Sequence, residues 1–523
     1  MDTRKVSDIL KQARRPLDSL PQVEILDEWM FDDDLKVWYL HIAISIEHDS
    51  INFPRRSQWY VVVDSKYPTG KINVYPDIDN SLCATLYHQG NNSHIEKNEL
   101  WRKGALCLGV NTLKGNQTEP FTIDGRLLYH TNRAINWLEL AAQKQLISID
   151  EPFELPDFSE NHIEKMQFAF SEDVVSFMQW ESTECKYGIA ELDIYKNNPL
   201  IYYVKFFKSM HNRVEHRTQW GVFLSKQHLT NLETAPWILL NNIPVVNEWQ
   251  APETFEDLLE ICKSQDIDLL SIFQTVFAKI RDGKRHLLLV GFPIPKLFGG
   301  ESEIVFWKAL YLPVLSHGKK TANGFRTNQQ GWWMRDKTEI LTKNLKLEWI
   351  SSENWNQNEI SQRGKMDNAI LRKRILLIGA GCVGASVAEL LVRAGVYNLT
   401  IVDSDIFEIG NTSRHTLSLN DVGNIKESSL RDHLNLINPH SNVNAIHAKL
   451  IVDEHGNINM DINNYDMIVD CTGENGVLDI FQSIKLNREH IFISISVGLG
   501  AKRMYMALKK GKEFDFSSFG TLI

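Results

Sequence analysis

Along this chain the spacing of apolar and polar positions changes character twice, dividing it into three parts. Within residues 1–155, Val6 to Arg14 is amphipathic and predicts an opening helix, and QVEILDEWMF, LKVWYLHIAISI and SQWYVVVD predict strands. YPTGKINVYPDI is extended and punctuated by Pro68 and Pro76, residues suited to sheet edges and turns. Leu127 to Gln143 carries Ile135, Trp137, Leu138 and Leu140 at helical spacing, and the PFELPDF segment after Glu151 predicts a linker. This first part is α+β. Residues 160–365 hold strand-like runs (VVSFMQW, PLIYYVKFF, WGVFL, RHLLLVGF, EIVFWKALYLPVL) and one clear helical stretch, Phe255 to Phe277. They predict an α/β or α+β middle domain whose tryptophans are core, since large aromatics dominate burial. GWWMRDKTEI stays open between core and surface anchor. The polar stretch Ser351 to Ile370 reads as a boundary followed by a helix.

Residues 368–523 then alternate regularly. Apolar runs at Ile375–Ile378, Leu399–Val402, Asn442–Ile446, YDMIVD and HIFISISVG predict strands; Ala385–Arg393, Lys426–Asn438 and Gly476–Ile484 predict helices. Such alternation builds a doubly wound parallel sheet with helices on both faces.

Composition narrows the function. A length of 523 residues supports about three domains, and 43% hydrophobic with 23% charged residues describes a globular chain. The net charge of −10, without a basic tract, argues against sequence-independent nucleic-acid binding. MDTRKVSDILKQARR is polar, not a secretory leader, and no apolar run reaches membrane-span length, so a cytoplasmic protein with no membrane partner is expected. Six cysteines stand at 83, 107, 185, 262, 382 and 471 without a C-x-x-C pair, which argues against a zinc ribbon and for reduced thiols.

The candidate chemistry concentrates between Arg374 and Arg414. A short apolar strand leads into Gly379-x-Gly381-x-x-Gly384, a helix follows, and a second strand ends at Asp403, 19 residues after the last glycine. Glycines let the backbone approach phosphates, the helix N-terminus offers free N–H groups, and the acid holds a ribose. Further polar residues follow: Asp405, Asn411, Arg414, Lys426, and Asp470 at a strand's carboxyl end. Arg414 and Lys426 can neutralise phosphate, and a carboxylate at a strand end can hold magnesium. The set suits ATP attacked at its α-phosphate by a carboxylate, a step that needs charge stabilisation above all.

GAGCVGASVAELLVRAGVYNLTIVDSDIFEIGNTSRH, then VGNIK, INPH and IVDCTG, resembles the ThiF/MoeB-type adenylation domain of the ubiquitin-activating enzyme superfamily over residues 368–510. The resemblance implies that Gly379, Gly381 and Gly384 line the ATP phosphates and Asp403 holds the ribose. It implies that Asn411 and Arg414 contact phosphates, Lys426 stabilises departing pyrophosphate and Asp470 binds Mg2+. His415 stands where that family often has glutamine. An Arg414 acting across a dimer interface implies a homodimer. YPTGKINVYP, a His/Asn loop and GALCLGVN are similar to the ubiquitin-conjugating fold. That similarity implies that Cys107 carries a thioester; His88 and Asn91 are the candidates for its His-Pro-Asn element, whose proline is missing. Cys382 and Cys471 are expected to be packing residues.

The order of parts resembles the fused conjugating–activating proteins of bacterial CBASS antiphage operons. It implies that the C-terminal glycine of a cGAS-like nucleotidyltransferase (CD-NTase) is adenylated, carried on Cys107 and joined to a target amine. In that family an activating cysteine follows the last sheet strands, whereas no cysteine follows Cys471 here. Either the chain is shortened or the acyl group passes straight to Cys107. The competing classes are an NAD(P)-dependent oxidoreductase, which the glycine loop and Asp403 also fit, and a non-catalytic scaffold retaining these folds.

Overall fold

The computed structural model describes residues 6–92, 99–109, 118–160, 166–196, 198–226, 232–318, 324–361, 366–452, 458–484 and 486–514. The chain opens with helix α1 (Asp8–Arg14), whose N-cap Ser7 accepts from Leu10 N. An antiparallel meander follows: β1 (Val23–Asp32), β2 (Val37–Ser45), β3 (Arg56–Asp64) and β4 (Ile72–Pro76). Period-2 alternation sorts its side chains. Trp38, Leu40, Ile42, Ile44, Val61 and Val63 face α1 and the long helix α2 (Ile123–Ala142), which contributes Leu127, Trp137 and Leu138. Tyr39 and Tyr60 form an aromatic cluster with Trp101 on the opposite face. Strands and helices agree with the sequence pattern here.

The middle domain centres on a nine-stranded sheet among the described residues. Its elements run β5 (Gln167–Phe170), α3 (Val174–Ser182), β6 (Tyr187–Ile194), β7 (Ile201–Lys208), β8 (Val214–Arg217), α4 (Val222–Lys226), β9 (Glu233–Leu239), α5 (Phe255–Ser264), α6 (Leu269–Phe277), β10 (Leu287–Pro295), β11 (Ser302–Tyr311), α7 (Gln329–Arg335), β12 (Glu348–Trp349) and β13 (Ser351–Asn354). The sheet order is β12-β11-β10-β9-β6-β7-β5-β13, with β8 beside β7.

Three expectations are corrected here. VVSFMQW is helix α3, because Asp173 accepts from Val175 N and Ser176 N while Ser176 Oγ accepts from Asp173 N, a reciprocal cap that outweighs the β-branched valines. Those valines lie exposed in the first turn. WGVFL contains the short helix α4 instead of a strand, and its start is held from outside: Gly221 N and Val222 N donate to Pro439 O and Ser441 O at 2.7 and 3.0 Å. Phe255–Phe277 is two helices, broken where Asp266 adopts φ 60° and Asp268 caps a new N-terminus through Ser271 N. In GWWMRDKTEI, Trp333 is buried and Asp336 pairs with Arg281 at 2.5 Å, so these two residues are core while Met334 beside them is exposed. Trp180, Trp237, Trp307 and Trp349 are likewise buried, as the pattern predicted.

One buried acid is unusual. Glu172 accepts from the indole N–H groups of Trp180 and Trp307, each at 3.0 Å, and burial pushes its carboxyl up to about 7. His216 lies 3.8 Å away and burial pushes it down to about 4. The folded state therefore keeps Glu172 protonated where the unfolded chain ionises it. Its contribution to stability is complete below about 4.5 and is lost as pH rises to about 7. Glu172→Gln keeps an acceptor for both indoles. Its melting temperature is expected to gain on the wild type from pH 4.5 to 7 and then hold level, a difference on the order of 3 kcal/mol. A constant offset across that range would contradict the buried-acid account.

Two short helices, α8 (Gln357–Ile360) and α9 (Asn368–Leu371), lead into the last unit. It comprises β14 (Ile375–Ile378), α10 (Cys382–Arg393), β15 (Asn398–Asp403), α11 (Lys426–Ile437), β16 (Asn442–His447), β17 (Met467–Asp470), α12 (Asn475–Ser483), β18 (His490–Val497) and β19 (Met504–Gly511). The sheet order is β16-β15-β14-β17-β18-β19, parallel throughout except for β19. Strands buried on both faces explain the unbroken apolar runs ILLI and MIV. No helix among the described residues is long and apolar enough to cross a membrane.

Candidate functional site

Strand order reverses between β14 and β17, where Ile378 stands opposite Asp470, and ligands of open α/β sheets lie in the crevice at such a point. The three glycines border it for different physical reasons. Gly379 has φ +90°, the left-handed region, and any Cβ would meet Thr472 N at 3.0 Å. A Cβ on Gly384 would lie 1.8 Å from Gly379 O, so a side chain there would force α10 away from the loop. Gly381 is the N-cap of α10, has no side-chain cap, and a Cβ there would meet nothing within 4 Å. The open space before an uncapped helix N-terminus fits a phosphate group.

Around the crevice, Asp403 ends β15. Its Oδ2 accepts from Ala380 N at 2.6 Å and its Oδ1 from Asp405 N at 2.8 Å, so the acid is aligned by the glycine loop itself. Lys426, the first residue of α11, is buried along its stem and reaches Asp405 Oδ2 at 2.9 Å. Asn411 Oδ1 caps its own short turn through Glu408 N, and exposed Arg414 donates to Gly410 O at 2.9 Å. Asp470 is 1% exposed; its Oδ1 accepts from Thr472 N and Thr472 Oγ1, and its Oδ2 from Ser494 Oγ at 2.8 Å.

His415 proves to be structural to this loop. Its Nδ1 accepts from Leu417 N at 3.1 Å, which leaves Nε2 as the protonated nitrogen donating to Ala380 O at 2.7 Å. Burial, with Lys426 nearby, holds its imidazole below the usual histidine range, although the Ala380 bond opposes the shift. Cys471 is buried and its thiol is pushed up to about 12 by burial, consistent with packing. Among the described residues no group of three His, Cys, Asp or Glu side chains is placed to hold a metal. A hard cation at Asp470 would therefore take this single carboxylate plus nucleotide phosphates, the usual pattern for Mg2+.

In the N-terminal unit Leu106 and Leu108 are buried and Cys107 between them is exposed, the in–out alternation of extended chain. Leu106 N donates to Val74 O at 3.0 Å, and Cys107 N to His88 O at 2.8 Å. Trp137 Nε1 also donates to His88 O, at 3.2 Å, and Arg133 Nε donates to Leu108 O. The backbone of His88 thus adjoins the cysteine. Its ring turns to the linker, with Nδ1 2.8 Å from Glu154 Oε2. Asn91 directs its amide to Ser159 Oγ at 2.7 Å and Glu253 Oε1 at 2.8 Å, on the middle domain. Sequence reasoning did not single out Thr472 and Ser494 about Asp470, nor Glu253; only the sheet registers and the domain seam bring them in.

The Cap2 central linker domain family matches residues 144–355, which take in most of the middle domain, and the ThiF family matches residues 353–479. The ATP-dependent ubiquitin transferase-like protein Cap2 of Enterobacter hormaechei subsp. hoffmannii is 28% identical over 505 residues, covering 95% of this chain and 83% of that one. The molybdopterin-synthase adenylyltransferase of Escherichia coli is 36% identical over 105 residues, 20% of this chain and 41% of its own. Escherichia coli MccB superposes on 27% of this chain and 42% of its own, with a TM-score of 0.22 at 18% identity. A ThiF-type domain at a strand-order reversal, with a linker of the Cap2 kind before it, defines a ubiquitin-like activating and conjugating enzyme. The chain is a homologue of Cap2, and the oxidoreductase alternative is set aside.

Proposed function

We propose that this enzyme adenylates the C-terminal carboxylate of a partner protein, carries the acyl group on Cys107 and delivers it to an amine. The observation that carries the reading is the strand-order reversal, where an uncapped helix N-terminus, Asp403 and Asp470 converge with Lys426 nearby. The partner's carboxylate oxygen attacks the α-phosphorus of ATP, and the bond to the bridging oxygen of pyrophosphate breaks. Lys426 stabilises the departing pyrophosphate, and Arg414 and Asn411 contact the phosphates, the arginine as a cation and the asparagine as a neutral donor; the glycine loop and α10 hold the phosphates; Asp403 holds the ribose. Asp470 would hold Mg2+, which when bound would supply further neutralisation of the phosphate oxygens. The Cys107 thiolate then attacks the acyl carbon and AMP leaves; an amine attacks the thioester and frees the thiol.

The N-terminal unit, a helix, four-stranded meander, exposed cysteine and long helix in that order, supports a ubiquitin-conjugating-like reading. The chain's resemblance to the CBASS proteins supports a CD-NTase tail ending in glycine as the partner. Exposed Ile406, Ile409, Leu419 and Ile425 flank Arg414 and support a homodimer that brings that arginine into play. ATP–pyrophosphate exchange driven by such a C-terminal glycine tests the proposal. Exchange dependent on the tail is expected, and none with any carboxyl-terminal partner would defeat it.

A further inference from the structure

Next to the nucleotide crevice lies a carboxylate that the mechanism does not use. Glu427, the second residue of α11, is 1% exposed. Its Oε1 lies 3.3 Å from His447 Nδ1 and accepts from Ser428 Oγ, while its buried Oε2 has no hydrogen-bond partner among the described residues. A carboxylate so buried is costly to leave half satisfied, so its placement demands a return.

The sheet register says what His447 can reach. Asp403 and His447 are direct partners across the parallel β15–β16 ladder, both at the carboxyl ends of their strands. Leu399 and Ile401 belong to the core beneath α10 and α11, as does Val443 on β16. Two-residue alternation therefore puts Asp403 and His447 on that same face, below the starts of both helices. Adjacent strands lie about 4.8 Å apart, close enough for one sugar to span both side chains. Glu427 Oε1 sits beside Nδ1, and the half-exposed ring leaves Nε2 to meet a ligand.

We propose that His447 is a second ribose-reading residue, its Nε2 bonding a sugar hydroxyl beside the one Asp403 holds, with Glu427 as its positioning residue. The proposal rests on the nucleotide reading above. It predicts that the site tells a ribonucleotide from its deoxy counterparts through two residues on two strands.

Calorimetric titration of the full chain with ATP, 2′-deoxy-ATP and 3′-deoxy-ATP, each with Mg2+, tests it. The wild type should bind one deoxy analogue roughly five- to tenfold more weakly than ATP, the size of one hydrogen bond. His447→Ala should bind ATP as weakly as that analogue, erasing this preference while keeping the one due to Asp403. Glu427→Gln, checked for an unchanged melting temperature, should shrink the same ratio without touching the other; a purely structural role would weaken all three nucleotides together. Unchanged ratios in His447→Ala would overturn the inference while leaving the nucleotide site intact. A wild type that binds none of the three would overturn the nucleotide reading itself.

Discussion

Alanine at position 470 is expected to lower ATP–pyrophosphate exchange by at least ~10²-fold, the usual size of one lost electrostatic contact to a charge-developing step. The group is almost wholly buried at the end of β17, in contact with Thr472 and Ser494. Removing it also strands two hydroxyls, at about 1–2 kcal/mol, so loss of activity alone is not sufficient proof. Asp470→Asn separates the two effects, because the amide can keep both the Thr472 and Ser494 bonds without the negative charge. Exchange should fall in both variants, with a melting temperature close to wild type in the asparagine form. Wild-type exchange in Asp470→Asn would remove the charge from the mechanism.

Cys107→Ala is expected to do the opposite: exchange persists and the thioester adduct disappears. Because the thiol points outward between two inward leucines, truncating it opens no core cavity, and stability should stay within ~0.5 kcal/mol. Electrophoresis with and without reductant reads the result. The wild type shows an ATP-dependent adduct that reductant dissolves, Cys107→Ala shows none, and Cys107→Ser shows one that survives reductant as an ester. A reducible band that persists in Cys107→Ala would move the carrier to another of the free thiols.

How much of this was legible follows physical lines. The runs ILLI and MIVD announced β14 and β17 because strands buried on both faces leave no polar interruption. The glycines and Asp403 were legible because a phosphate loop is local in sequence. Val174–Ser182 was misread because β-branched residues were weighed above a cap that was in plain view, Asp173 with Ser176 three positions on. Helix α4 could not be read at all, since its first N–H groups are satisfied by carbonyls more than two hundred residues downstream. The same holds for Ser494 at Asp470 and His447 at Asp403: parallel ladders join residues whose separation no local pattern encodes. His88 and Asn91 were named by motif as candidates beside Cys107, but the contacts that hold their side chains, Glu154 of the linker and Glu253 of the middle domain, carried no signal in the sequence.

The seam at Gly221 has a mechanical consequence. A Cβ at that glycine would lie 2.5 Å from the His440 carbonyl carbon and from Ser441 O, so the middle domain meets the adenylation sheet backbone to backbone. On its other side, Trp249 N bonds Thr85 O at 2.9 Å, three residues before His88. Backbone contacts thus hold the middle domain to both neighbours, which makes it a strut and not a tether whose length sets an effective concentration. On the proposed reading, the reach between them falls to the substrate: an extended tail covers about 3.3–3.6 Å per residue, so its length becomes the ruler that decides which partners can be charged.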